Sequence, residues 1–168
     1  MNFKEITIKE IGGATSFTRT YNYFQTKEEI FLALLEQEYE LWVAELQSIM
    51  DKSESLDRDS FADKIAGSLE HRRQLLKIMS MNMYDIEENS RMERLTEFKT
   101  VYGKSLHVFD ALLAKFFPAM EAQERQKFIY CFFPFVYGIY PYTVVTDKQS
   151  GAMKESRVDY TYFSIYEI

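Results

Sequence analysis

The sequence predicts an all-α chain, with a short helix-turn-helix segment at the N-terminus and a bundle of about five to six helices behind it. Three observations predict this class. Apolar residues recur at spacings of three and four along most of the 168 residues, the period of a helix with one buried face. Three prolines and six glycines leave little room for the many turns of a β fold. Two polar stretches, 51–60 and 85–90, separate the periodic segments as inter-helix loops do. A chain of this length supports one or two small domains with a real core. Its 46% hydrophobic and 16% aromatic content is rich, so a large apolar interior or interface is expected.

Thr7-Ile8-Lys9-Glu10-Ile11 and Thr15-Ser16-Phe17-Thr18-Arg19-Thr20 read as two short helical pieces around a polar turn, and a long helix comes next. Thr26 is a good N-cap for that helix, with Glu29 three residues later as in a capping box. From residue 28 to about 50 the stripe is Phe31, Leu34, Leu35, Tyr39, Trp42, Leu46 and Ile49. Residues 61 to about 82 carry Phe61, Ile65, Leu69, Leu75, Leu76, Ile78 and Met79, with a break near His71-Arg72-Arg73. A long helix from 91 to 117 ends at Pro118, because the residue before a proline is pushed out of the helical region. Residues 121–145 form a further helix, kinked near its prolines, and 147–151 a turn. Residues 152–168 are mixed: Val158, Tyr160, Tyr162, Ile165 and Tyr166 suit a helix face or an aromatic strand.

The N-terminal segment also differs in charge. Residues 1–27 carry Lys4, Lys9, Arg19 and Lys27 against Glu5 and Glu10, net +2, on a chain of net −6. A positive pole on an acidic body is the sign expected where nucleic acid is read. Thr18, Thr20, Tyr21, Asn22 and Tyr23 carry donors suited to phosphates and base edges. Ile8-Lys9-Glu10-Ile11, Thr18-Arg19, Tyr21-Asn22-Tyr23-Phe24 and Lys27-Glu28-Glu29-Ile30 together resemble the head of the TetR family of transcriptional regulators, over residues 6–39. The sequence departs from that pattern in three places. Only residues 1–6 stand where the family has a first amphipathic helix, two residues are absent between Thr20 and Tyr21, and Gly12-Gly13 occupies helix positions. Two lost residues turn everything after them by ~200° on a helix.

The resemblance implies a homodimer that binds a double-stranded DNA operator of pseudo-palindromic sequence, with Thr7, Thr18, Arg19, Thr20, Tyr21, Asn22, Tyr23 and Lys27 at the DNA. It implies a helix-turn-helix domain with its connecting helix over 1–46 and an effector-binding and dimerisation domain over 47–168. It favours a helix for 152–168, pairing with 121–145 across the dimer, and a repressor that a small hydrophobic or aromatic effector releases. The effector pocket would lie between the helices that carry Met79, Met83, Phe98, Tyr102, Phe132 and Phe135. Each of these residues also suits plain core packing. No cofactor is implied.

Other chemistry is weakly represented. Residues 128–145 (FIYCFFPFVYGIYPYTVV) hold no charge, but Pro134, Pro141, Gly138 and four spread tyrosines argue against a membrane span and for a helix buried on most sides. Cys131 is the single cysteine; it excludes an internal disulfide, fits a reducing cytoplasm, and in an apolar run should be an inert thiol. His71 and His107 make no local metal motif. His71 with Arg72 and Arg73 reads as an exposed basic patch, with a contact to the head that relays effector binding as the weaker alternative, and Glu87-Glu88 as solvated charge. No phosphate-binding glycine loop or nucleophile elbow is present, so no enzymatic activity is expected. Two alternatives to a regulator stand: a helical interaction module that has lost DNA reading, and a small-molecule-binding or enzymatic bundle.

Overall fold

The computed structural model describes residues 23–81 and 83–168. Among these the regular structure is all helical, with no strand. The helices are α1 (Lys27–Lys52), α2 (Arg58–His71), α3 (Arg73–Met79), α4 (Met83–Glu88), α5 (Met92–Phe116), α6 (Ala122–Thr143) and α7 (Asp147–Glu155).

The pair α1 and α5 forms the spine. Helix α1 starts where Thr26 leaves the helical region and its hydroxyl accepts from the Glu29 N–H at 3.2 Å. Phe31, Leu32, Leu35, Tyr39, Trp42, Val43 and Leu46 are buried along it, close to the predicted stripe, although Leu34 faces solvent. The helix is continuous to residue 52, so the domain boundary drawn after residue 46 falls inside it. Phe98, Val108, Phe109, Leu112, Leu113 and Phe116 are the matching face of α5. Phe117 caps α5 just before Pro118, as the sequence requires.

Buried aromatic rings bind the layers together. Trp42 lies near Tyr39, Phe109 and Phe133, and its indole N–H donates to Ser68 Oγ at 3.0 Å. Ser68 donates its own proton to the Ile65 carbonyl at 2.8 Å, so this buried polar pair is satisfied. The Tyr39 hydroxyl donates to that of Tyr137 at 3.2 Å. Burial pushes the Tyr39 phenol well above its usual range and that of Tyr137 up to about 12.

The break suggested near His71-Arg72-Arg73 is present, and three sequence expectations are corrected. The helix that begins near residue 61 is two helices, parted at Arg72 where the sequence suggests a break, but the second ends at Met79. The polar stretch 85–90 is largely helical, because Ile86 anchors α4 in the core. The turn expected at 147–151 is the start of α7, capped by Thr146 with Gln149. Residues 152–168 are helical only to Glu155, and the stretch after α7 is irregular and ends in a turn. Arg157 takes a left-handed φ of 56°, and the Val158 N–H bonds back to the Met153 carbonyl at 3.0 Å, a helix stop of the Schellman kind.

Helix α6 is the other departure. It contains Pro134 and Pro141, and its uncharged sequence predicts burial on most sides. Only the stripe Phe133, Val136 and Ile139 is buried; Phe128, Tyr130, Phe135 and Tyr142 are exposed, and so is Cys131. Among the described residues no single helix is long and apolar enough to cross a membrane, and α6 with α7 passes such a test only as a pair bent by 76°.

Candidate functional site

Two features stand out, an apolar cleft in the body and an ionic clamp at the start of α1. The cleft lies between α2, α5 and α6 and is closed by the last residues of the chain. Phe61, Ile65 and Leu69 come from α2, Phe109 from α5, and Phe128, Phe132, Phe135 and Ile139 from α6. Helical spacing brings each set to one face. Ile165 and Ile168 complete the wall, and the cleft, partly open to solvent at Ile168, holds about 180 Å³. The Phe109 and Phe132 rings stack at 4.7 Å, which fixes one wall. No side chain that lines the cleft can donate or accept a hydrogen bond. Such a site favours carbon over charge.

The clamp centres on Glu29, whose side chain is fully enclosed (0% exposed). Arg91 donates from Nε to Oε1 at 2.6 Å and from Nη2 to Oε2 at 3.0 Å, a bidentate pair. The backbone N–H groups of Arg91 (3.1 Å) and Gln25 (2.7 Å) complete the set. Sequence spacing assigns this carboxylate to a capping box on Thr26; in the structure it turns to Gln25 and Arg91 instead. The Arg91 guanidinium holds the Glu29 carboxyl down at about 2, although burial works in the opposite direction. Arg91 Nη2 also donates to the Tyr23 carbonyl at 3.0 Å, and the Thr26 hydroxyl donates to the Asn89 carbonyl at 3.0 Å. The Arg94 guanidinium lies 5.9 Å from the centre of the Phe24 ring. Residues 23–29 are thereby stitched to the turn between α4 and α5 and to the first turn of α5.

A second, more polar groove of about 430 Å³ runs between α5 and α6, lined by Tyr102, Leu106, His107, Asp110, Ile129 and Tyr130 among others. Asp110 is engaged there by Arg125 at 2.9 Å.

Of the residues predicted to face DNA, Thr7, Thr18, Arg19, Thr20, Tyr21 and Asn22 lie outside the described residues. Tyr23 is 64% exposed, and Lys27 is partly exposed with its ammonium 4.0 Å from the Glu28 carboxylate. Of the six effector candidates, Phe132 and Phe135 line the cleft and Tyr102 lines the α5–α6 groove. Met79 and Phe98 are enclosed in the core, and Met83 packs at its edge. The six therefore do not converge on one pocket. Sequence reading misses Phe61, Ile65 and Phe109 as cleft residues, because a residue on a core stripe carries no mark of facing a void. It misses the Glu29–Arg91 pair because the partners are 62 positions apart.

The histidine readings change in part. His71 is exposed but not a free patch: His71 Nδ1 lies 2.9 Å from Glu45 and Arg72 Nε 3.4 Å from it, both contacts reaching back to α1. Glu87 pairs with Lys99 at 2.7 Å.

A family model described as "Tetracyclin repressor-like, C-terminal domain" matches residues 36–165. No curated protein matches the chain significantly.

Proposed function

We propose that this chain, which belongs to the tetracycline repressor-like family, is a ligand-responsive transcription regulator. The observation that carries the reading is the family match across residues 36–165, nearly the whole described body. In this reading the chain acts as a homodimer on a pseudo-palindromic double-stranded DNA operator, most simply as a repressor, in the cytoplasm and without enzymatic chemistry. Thr7, Thr18, Arg19, Thr20, Tyr21, Asn22, Tyr23 and Lys27 are its DNA-facing residues. Tyr21, Tyr23 and Lys27 hold phosphates, and Thr18, Arg19, Thr20 and Asn22 reach base edges or the backbone beside them. The exposed face of α6 around Tyr130 and Cys131, away from the cleft, is the dimer surface. It replaces the pairing of two terminal helices, since 156–168 forms no helix.

The effector occupies the apolar cleft. Its signal travels along α5, which carries Phe109 into the cleft and begins next to Arg91, ~26 Å away along a rigid helix. Arg91 in turn holds Tyr23 and Glu29. An effector that favours one α5 position by about 1–3 kcal/mol changes DNA affinity by the corresponding factor.

The test is a fluorescence-anisotropy titration of labelled duplex DNA at several salt concentrations. Lys27→Ala is expected to weaken binding to every sequence alike and to lower the salt slope by about one phosphate contact. Equal slopes for variant and parent would remove Lys27 from the phosphates. No binding at low salt would turn the reading toward a ligand- or partner-binding module without DNA.

A further inference from the structure

We propose that the C-terminal strap, residues 158–168, gates the apolar cleft, and that the cleft admits an uncharged apolar molecule of about one aromatic ring. The proposal rests on the reading of the body as a ligand sensor and names the ligand class and the gate of that same site.

Size and wall chemistry select the ligand. The cleft holds about 180 Å³. A designed protein cavity of ~150 Å³ with aliphatic and aromatic walls stays dry and takes up benzene. Walls of Phe61, Ile65, Phe109, Phe132 and Ile139 offer ring faces and branched alkyl groups and no polar partner. A carboxylate, ammonium or amide buried here would lose its water without compensation. A benzene ring with a short alkyl or halogen substituent loses nothing.

The strap is held weakly enough to move. The stop at Arg157 turns the chain back from α7, and no helix or strand pairing fixes residues 158–168. Ile165 is the only buried residue of the strap. Ile168 reaches the cleft while 49% exposed. Two tethers join the strap to the cleft walls. The Tyr166 hydroxyl donates to the Asp63 carboxylate on α2, and the Tyr160 hydroxyl donates to the Tyr142 carbonyl on α6 at 3.3 Å. Both are exposed to water. At its tip, Ser164 and Glu167 bond each other reciprocally, so the turn moves as a unit. A segment with one buried anchor and solvent-exposed hydrogen bonds belongs to the part of a protein that opens first. Its opening uncovers Ile139 and the cleft beside it.

The test uses fluorobenzene as probe and the full chain, observed by fluorine NMR. The parent is expected to bind one equivalent, in exchange slow enough to measure a release rate. Tyr166→Phe removes a surface tether and no wall; release should quicken about fivefold, the worth of one hydrogen bond. Ala66 lines the cleft from α2 beside Ile65, so Ala66→Phe fills the space and should abolish binding while the helical circular dichroism stays intact. Ile168→Ser at the exposed rim, where folding is not at stake, should weaken binding and serves if Ala66→Phe unfolds. No binding to the parent overturns the site. Binding that Ala66→Phe and Ile168→Ser leave unchanged overturns its location. Binding lost in Ala66→Phe or weakened in Ile168→Ser, with Tyr166→Phe releasing at the parental rate, overturns the gate and keeps the site. Parental binding of fluorobenzene that leaves DNA affinity unchanged overturns the sensor reading alone.

Discussion

Glu29 and Arg91 show what a single pair of residues contributes. A carboxylate with no solvent exposure survives because four donors face it, two of them from one guanidinium. Its pKa lies near 2 in the folded chain, against an ordinary 4.5. The folded value is the lower one, so the pair stabilises the fold above pH 4.5, and that contribution is lost as pH falls toward 2. Glu29→Gln should therefore lower the urea midpoint at pH 7 and flatten stability against pH between these values. Parallel curves for variant and parent would show that the pair carries no such linkage. A second residue prediction concerns Trp42. Ser68→Ala strands the buried indole N–H and should cost about 1–3 kcal/mol in urea unfolding; an unchanged midpoint would mean that water replaces the hydroxyl.

Elements differ in how much of them the sequence reveals. Helices α1 and α5 are legible because their apolar residues keep a helical period and because Thr26 and Pro118 mark a start and a stop. The break at Arg72 is visible as three basic residues that interrupt a stripe. Helix α4 is not legible, since its six residues include three carboxylates and only Ile86 is fully buried, with Met83 at the core edge. The exposure of α6 is hidden for a related reason. An uncharged run says that a segment avoids charge, and a face reserved for a partner does so as well as a core. The strap is ambiguous because alternating tyrosines fit a helix face, a strand or an irregular cover over a cleft. The cleft itself is half legible: Phe132 and Phe135 stand out in the sequence, but the voids between helices depend on packing angles that residue spacing does not encode. Arg157 supplies the test at this scale. A side chain with φ of 56° is strained where glycine is not, so Arg157→Gly should raise stability by about 0.5–1 kcal/mol. A fall in the melting temperature would show that the arginine side chain holds the strap in place.

At the scale of the whole molecule, the spine α1–α5 joins the two features that matter. The cleft touches the C-terminal part of α5 at Phe109, the clamp sits at its N-cap, and residues 23–29 lead into α1. Arg91→Ala should therefore leave effector binding nearly intact while reducing the effect of the effector on DNA affinity. Paired titrations, each ligand in the presence and absence of the other, measure that coupling. Full coupling in Arg91→Ala would place the connection elsewhere. DNA reading by this family member is put to the test by selecting duplexes from a random-sequence pool with the full chain. The expected result is enrichment of a pseudo-palindrome whose half-sites lie about one helical turn apart, as two symmetric heads require. A pool that stays random through successive rounds would contradict it.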